Sequence, residues 1–273
     1  MPRVNKYIAV NQQATWAGER IDYYWVRYIF ISFLLVVLVY GNMSCVEIDK
    51  SIRVLIVTGM DIEAHDWRKT TLAAMEELSK DPRMKVDTLT NIYALSSFDL
   101  SHYDVVYLNF NNWEKPDPDA KAEDNLKQFV ARGGGLIVVH FASGSFESWP
   151  DFVKLAGKVW DRRNTHDPRG PFRVEIVDTT HPITQGLASF DTNDELYICL
   201  TGNEPVELLA RAKSVVTGNY HPMAFTHTYK KGRTFHLTLG HDAQAIHVKG
   251  TAELIRRGVA WSASRTVTAV GDR

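Results

Sequence analysis

The chain has 273 residues, of which 45% are hydrophobic, and this is enough for one large domain or two small ones with a sizeable core. The formal net charge is −1 at pH 7 and no stretch is strongly basic, which argues against a nucleic-acid partner because phosphate binding needs clustered positive charge. The two cysteines provide no disulfide framework. The expected partner is therefore a small molecule.

The N-terminal region carries a short apolar segment. Residues 28–40 read YIFISFLLVVLVY and follow Arg20 and Arg27. The run is shorter than the ~20 residues of a membrane-spanning helix and is typical of the apolar part of a signal peptide. Cys45 follows at the position that is cleaved and lipidated in a bacterial lipoprotein, although Asn42 stands where an aliphatic residue is expected. The alternative is a signal anchor that is never cleaved.

Both alternatives predict an exported protein. We expect it in the periplasm or on the outer face of the membrane, with no membrane contact except through this segment. The rest of the chain contains no repeat and no linker-like stretch. The predicted organisation is an N-terminal extension at residues 1–50, one domain at residues 51–264 and a tail at residues 265–273.

Strands and helices alternate in the first half of the domain. Strands are predicted at residues 52–59, 85–90, 103–110 and 135–140, and helices at residues 66–80 and 117–135. In the first helix, Trp67, Leu72, Met75 and Leu78 are expected near one face. Continuous apolar strands are typical of strands buried on both faces. The βαβαβ order predicts a parallel sheet with helices on both faces.

The second half of the domain is richer in predicted strands. They are FRVEIV at 172–177, ELYICL at 195–200, VELLARA at 206–212, MAFTHTY at 223–229 and TFHLTL at 234–239. The last two flank KKGR, and Gly232 in a four-residue connection predicts a β-hairpin near the C-terminus. An amphipathic helix is expected at residues 250–264.

Polar side chains follow several of these strands. They are His65 and Asp66 after the first strand, Asn109 and Asn111 after the third, His140 after the fourth, and His241 and Asp242 after the last. The carboxyl ends of parallel strands meet at one edge of a sheet, where ligands bind, so we expect these side chains to converge. Asp66 equally suits a helix cap, and Asn109 a loop hydrogen bond.

Five motifs, in this order, resemble those of a known family. They are GGGLIVVH at 133–140, HPITQGL at 181–187, DELY at 194–197, HPMAFTHTYKKGRTFHLTLGHD at 221–242 and IRRGVAWSA at 255–263. The region from Arg53 to Ser264 resembles the trehalose-utilisation (ThuA-like) family. The resemblance implies a flavodoxin-like α/β fold, similar to that of class I glutamine amidotransferases, and a role in sugar catabolism.

The turn after residues 135–139 departs from the amidotransferase pattern. Amidotransferases place a cysteine nucleophile there, whereas this chain has His140-Phe141-Ala142-Ser143. Glutamine hydrolysis through a thioester is therefore excluded. Ser143 is an alternative nucleophile, but its surroundings lack the G-x-S-x-G elbow that exposes an activated serine.

Four of the ten histidines lie within residues 220–242, which raises the prospect of proton transfer or metal chemistry. The predicted catalytic set consists of His65, His140, Glu195, His227 and His241. Neutral imidazoles with a carboxylate either move protons or bind a divalent metal, and His65, His140 and His241 are the candidate metal ligands. Their spacing matches no metal-binding motif.

Substrate contacts are expected from residues near the strand ends, because flat rings stack on sugar faces and polar groups bind hydroxyls. They are Asp66, Asn109, Trp113, Phe141 and Asp242. The leading hypothesis is an exported hydrolase, lyase or isomerase acting on a glucoside or 3-keto-glycoside by His/Glu acid–base chemistry, with or without a metal. The alternatives are an inert carbohydrate-binding module on the same fold and a serine hydrolase. His166 and Asp167 are interpreted as a surface turn rather than a lid.

Overall fold

The computed structural model describes residues 50–268. The predicted signal segment and Cys45 lie outside the described residues, so their predictions stay untested. No helix within residues 50–268 has the length and apolarity that a membrane crossing requires.

The described residues form a nine-stranded sheet in the order β2-β1-β3-β4-β11-β10-β9-β6-β7, with β5 and β8 paired separately. The strands are β1 Ile52–Val57, β2 Met84–Leu89, β3 Val105–Leu108, β4 Gly135–Val139, β5 Val159–Trp160, β6 Gly170–Ile176, β7 Phe190–Asp194, β8 Leu200–Thr201, β9 Glu207–Lys213, β10 Tyr220–Tyr229 and β11 Gly232–Leu237.

The first five strands of that order are parallel, and the remaining pairs are antiparallel. Taken by their place in the chain, the parallel strands follow the order 2-1-3-4-5 that defines flavodoxin-like sheets. The predicted fold class is confirmed, as is the antiparallel hairpin of β10 and β11.

Apolar side chains bury both faces of this sheet. On β1, Val54 and Ile56 join one core cluster, whereas Leu55 and Val57 join the other. The first cluster is covered by helices α1 (Trp67–Ser79), α4 (Ala243–His247) and α5 (Lys249–Ser262), and the second by α2 (Ala120–Ala131) and α3 (Phe152–Ala156). Because successive strand residues face opposite ways, a continuous apolar run such as IRVLIV needs helices on both sides.

Three details differ from the sequence prediction. Residues 195–200 do not form the expected strand: Tyr197 makes only an isolated bridge to His166 and Leu200 begins the short β8, while β7 lies just before them, at Phe190–Asp194. Leu72 is 58% exposed, and the inward face of α1 carries smaller residues instead. Helix α5 is buried around most of its circumference rather than amphipathic.

The hairpin turn is also tighter than predicted. Tyr229 pairs with Gly232, so only Lys230 and Lys231 connect the strands, and Lys230 has a positive φ of 53°. A Cβ atom on Gly232 would lie 2.2 Å from the Val130 carbonyl oxygen at the end of α2. Glycine is therefore required by the close approach of that helix.

His236 on β11 is a fully buried core histidine. Its ring centroid lies 4.5 Å from that of Phe225, and its Nδ1 lies 3.1 Å from the Ala156 carbonyl oxygen. Burial lowers the pKa of His236 to about 4. The ring is therefore neutral in the folded protein at neutral pH.

This burial predicts a stability loss in mild acid. The unfolded chain protonates its histidine below pH 6.5 or so, but the folded chain does so only near pH 4, so His236 destabilises the fold as pH falls through that window. The loss amounts to roughly 3 kcal/mol at 1.36 kcal/mol per pKa unit. His236→Phe should lose correspondingly less stability between pH 7 and pH 4 in denaturant titrations. If the free energy of unfolding fell equally with pH in the wild type and in His236→Phe, this account would be refuted.

Candidate active site at the carboxyl edge of the sheet

The parallel strands bring three histidines together. His65 lies in the loop after β1, His140 directly follows β4, and His241 follows β11. The Nε2 atoms of His65 and His140 are 3.2 Å apart, and the ring centroids of His65 and His241 are 4.7 Å apart. The predicted convergence of these strand ends is therefore present.

Glu195 completes the cluster from the antiparallel side of the sheet. It directly follows β7, and its Oε2 lies 3.3 Å from His241 Nδ1 and 3.6 Å from His140 Nε2. Burial opposes ionisation of Glu195, but its interactions with His140 and His241 outweigh burial and hold the pKa of the carboxyl well below its usual range. Glu195 is therefore a carboxylate.

The pKa values of His140 and His65 are shifted in opposite directions by their surroundings. Burial disfavours the charged form of His140, yet the nearby Glu195 and Asp194 carboxyls raise its pKa. Burial, assisted by the charges of His140 and His241, lowers the pKa of His65 in spite of Asp61. Groups whose pKa values are pushed apart in this way can act as acid and base. A proton between the two Nε2 atoms would belong to His140.

Backbone groups and a carboxylate orient the two facing rings. His140 Nδ1–H donates to the Thr238 carbonyl at 2.7 Å, and His65 Nδ1 lies 3.4 Å from Asp61 Oδ1. His140 also has a positive φ of 46°, a conformation that is strained for a residue with a Cβ and occurs at functional sites. The turn after β4 therefore aims His140 at the cluster.

Asp194 fixes the other two members of the cluster, and sequence reasoning missed it. Its fully buried carboxylate accepts hydrogen bonds from the backbone amides of Gly240 at 2.7 Å, Glu195 at 2.8 Å and His241 at 3.2 Å. It thereby ties the end of β7 to the loop after β11. The motif DELY contained this residue, so the signal was present but was assigned to Glu195 alone.

Sequence reasoning also missed His166 as a neighbour of the site. Its Nε2 lies 3.8 Å from Glu195 Oε1, and its Nδ1–H donates to the Asp167 carbonyl at 2.7 Å. Asp167 in turn accepts hydrogen bonds from Ser214 Oγ at 2.6 Å and from the Val215 amide at 2.7 Å. The predicted surface turn is thus a loop at the rim of the cluster, held in place by the hydrogen bonds of Asp167.

His227 does not lie in this cluster, and its predicted placement there is wrong. Its Nδ1 and Nε2 are each 2.8 Å from a carbonyl oxygen, of Pro205 and Lys154 respectively. Its backbone pairs with Thr234 near the start of β11. Because β10 runs antiparallel to β11, His227 lies toward the opposite end of the sheet from His241.

The predicted substrate contacts are divided between the pocket and the surface. Phe141 packs 4.6 Å from His65, and the Trp113 ring packs 4.5 Å from Phe141, both measured between centroids. Asn109 lines the pocket while its amide donates to the hydroxyls of Thr70 and Thr71.

The two predicted aspartates act as helix caps. Asp66 is exposed and caps α1, and Asp242 caps α4 and pairs with Arg169 at the rim. Asp66 is therefore directed away from the cluster, which leaves the capping interpretation for it.

The pocket beside the three clustered histidines is small, and Glu195 does not line it. It is lined by Asp61, His65, Thr70, Asn109, Phe110, Val139, His140, Phe141, Ala142, Gly240 and His241. It has room for about one water molecule or ion. Half-buried Trp113 and Trp160 lie beyond Phe141, so a larger ligand would sit against them, outside the cluster.

Residues 53–262 match the family model described as trehalose utilisation. This chain belongs to the ThuA family. Comparison with curated proteins finds no match.

Solved structures support the fold of this ThuA chain. A ThuA-like protein from Parabacteroides merdae has a TM-score of 0.71 at 24% identity, covering 79% of this chain and 91% of that one. A ThuA-like protein from Bacteroides uniformis has a TM-score of 0.64 at 24% identity, covering 81% and 96%. A cytoplasmic protein from Salmonella typhimurium has a TM-score of 0.55 at 13% identity, covering 77% and 99%.

Proposed function

We propose that this ThuA protein is a sugar-processing enzyme, a hydrolase, lyase or isomerase that acts on a glucoside or 3-keto-glycoside at the His/Glu cluster. The observation that carries the proposal is the convergence of His65, His140, His241 and Glu195 at the carboxyl edge of the sheet. Such edges are where α/β sheets bind ligands, and a carboxylate beside imidazoles of opposed pKa shifts supplies both a proton donor and an acceptor.

The aromatic groups beside the cluster suit a sugar ring. Trp113 and Trp160 are half-buried, with their centroids 5.6 Å apart, and both contact Phe141. Arg162 lies 4.2 Å from the Trp113 ring centroid. Flat rings offer a stacking surface for the apolar face of a sugar, and guanidinium groups donate to hydroxyls. Only the reacting substituent of the sugar would enter the cluster.

The serine hydrolase alternative loses support. Ser143 is fully buried, and within the described residues its Oγ has no hydrogen-bond partner. An activated serine needs a base within hydrogen-bond reach. The inert carbohydrate-binding module remains as an outcome of the test below.

Incubation of the purified full chain with trehalose, sucrose and their 3-keto derivatives, followed by mass spectrometry, tests the proposal. Conversion of at least one of them is expected. Binding of a sugar in calorimetry without any conversion would favour the inert module, and neither binding nor conversion would remove the sugar assignment. Repeating the assay with a chelator separates metal-dependent from metal-independent turnover.

We also propose that the protein is exported. The support is the apolar segment at residues 28–40 and the cysteine that follows it. Mass spectrometry of the membrane fraction should recover a mature chain that begins at or near Cys45. Recovery of a chain that still starts at Met1 would contradict processing.

A further inference from the structure

The four clustered side chains present their donor atoms as a metal site would. His65, His140, His241 and Glu195 each offer one ligand atom, and these atoms all lie within 4.8 Å of one another. Bonds of ~2.1 Å, usual for nitrogen and oxygen on Zn²⁺, place neighbouring donors about 3.0 Å apart at a right angle and about 3.4 Å apart at a tetrahedral angle. Three of the six separations, at 3.2, 3.3 and 3.6 Å, fall around these values, and none of the six exceeds 4.8 Å.

The outer nitrogen of His140 is held by a hydrogen bond as in metal-binding histidines, and that of His65 faces a carboxylate at 3.4 Å without a hydrogen bond. His140 Nδ1–H donates to the Thr238 carbonyl, and His65 Nδ1 faces the Asp61 carboxylate. A ligating histidine almost always directs its second nitrogen at a carbonyl or carboxylate, which fixes the tautomer with its lone pair toward the metal. Both Nε2 atoms therefore point at the same space.

His241 supplies an independent observation. Its Nδ1 is buried, and within the described residues it has no hydrogen-bond partner, although it lies 3.3 Å from Glu195 Oε2. A buried donor or acceptor without a hydrogen bond is costly, and buried polar groups are rarely left so. A shared cation bound by both atoms would satisfy His241 and the Glu195 charge together.

We propose that His65 Nε2, His140 Nε2, His241 Nδ1 and Glu195 Oε2 bind one divalent transition metal ion of the Zn²⁺ type. Three imidazoles and one carboxylate exclude Mg²⁺ and Ca²⁺, which take oxygen ligands. The small pocket lined by His65, His140 and His241 has room for about one water or ion, which is the size of a single metal ion.

This proposal deepens the proposed function, because it rests on the same cluster as the reacting centre. A metal held by the three histidines would replace the acid–base pair of His65 and His140 described above, so metal-dependent and metal-independent turnover are alternative outcomes at this one site.

The test measures metal directly, without substrate. The full chain, purified without a polyhistidine tag, is analysed for bound metal by mass spectrometry of the elements, stripped with a chelator and then titrated with Zn²⁺ and Co²⁺. About one equivalent per chain is expected, with Co²⁺ giving visible absorption bands. His140→Ala and His241→Ala should each weaken binding more than 10-fold.

Two further variants keep the test decisive if an alanine variant folds poorly. Asp61→Asn leaves all four donors in place. It should weaken metal affinity by roughly 10–100-fold, the usual effect of changing a residue that orients a metal ligand. His166→Ala removes an imidazole near the same carboxylate but outside the donor set, so it should keep the metal. Wild-type protein that binds no divalent ion, or a His166→Ala loss equal to that of His140→Ala, would overturn the assignment.

The outcomes also separate the two proposals. One bound metal with no sugar conversion sustains the metal site and removes the proposed function. Sugar conversion by a metal-free chain, unaffected by chelator, sustains the proposed function and removes the metal site.

Discussion

Under the proposed function, replacement of His140 or His241 by alanine is expected to reduce turnover of the sugar substrate by about 10²–10⁴-fold, the usual effect of losing a group that acts on the reacting centre. This holds whether the imidazoles move protons or bind a metal, and both lie within 3.6 Å of the Glu195 carboxylate. Either loss removes a partner of the buried carboxylate and one donor to a bound cation. The reduction should appear in kcat as well as in kcat/KM, because the groups act on the reacting substituent rather than on the stacked ring.

His102→Ala is the matched control for this experiment. His102 lies in a short 3₁₀ turn with its side chain 66% exposed, and its nearest carboxylate is that of exposed Asp99. Turnover should stay within experimental error of the wild-type value. Circular dichroism and thermal unfolding must show that the active-site variants keep their fold. Wild-type turnover in both His140→Ala and His241→Ala would contradict the assignment of the site.

His227→Ala separates a structural histidine from a reacting one. His227 bridges the carbonyls of Pro205 and Lys154 at the other end of the sheet. Its loss should lower the free energy of unfolding while the folded fraction retains its turnover. The variants of His140 and His241 should instead lose turnover while their free energy of unfolding changes little.

Much of the parallel half of the fold could be predicted from the sequence, because its signals are local. Residues 52–57 and 135–139 are continuous apolar runs bounded by polar residues, and helices separate them. Parallel strands place their carboxyl ends at one edge regardless of their order. His65, His140 and His241 could therefore be grouped without knowledge of the strand order.

The rest of the site depends on long-range pairing that no local pattern carries. Glu195 follows β7, the edge strand of the antiparallel half, and it is held at the cluster because Asp194 accepts hydrogen bonds from the amides of Gly240 and His241, 46 and 47 residues later in the chain. The error at His227 has a different origin, because the predicted hairpin was enough to place it. His227 lies two residues before the end of β10 at the hairpin turn, whereas His241 follows the opposite end of β11.

The second large expected effect concerns a buried ion network behind the site. Glu77 on α1 is 1% exposed, and its carboxylate contacts His247 Nδ1 at 2.8 Å, Lys80 Nζ at 2.8 Å and Arg256 Nη1 at 2.5 Å. Arg256 also contacts Glu253 at 2.6 Å. The network joins α1, which follows His65, to α4, which follows His241, and to α5.

Glu77→Ala should destabilise the fold by about 3–5 kcal/mol, because it leaves the buried Arg256 and Arg257 to share the single carboxylate of Glu253. For a domain of this size the midpoint of thermal unfolding should fall by roughly 10 °C, at ~2–4 °C per kcal/mol. Glu76→Ala is the control, since Glu76 precedes Glu77 on the same helix and has a side chain 67% exposed, which pairs with the half-exposed His247. It should change stability by less than about 0.5 kcal/mol.

A double-mutant cycle then decides whether the charge or the lost side-chain volume causes the effect. Arg256→Met removes the buried guanidinium, while Glu253 keeps its contact with Arg257 at 2.8 Å. If uncompensated charge dominates, Glu77→Ala should cost several kcal/mol less in the Arg256→Met background than in the wild type, because the charge it would leave unpaired is already gone. Lost packing would instead give the same cost in both backgrounds, since the cavity left by Glu77 is the same in each. Equal costs, measured by denaturant unfolding of all four proteins, would show that the network stabilises the helices behind the site by contact rather than by charge.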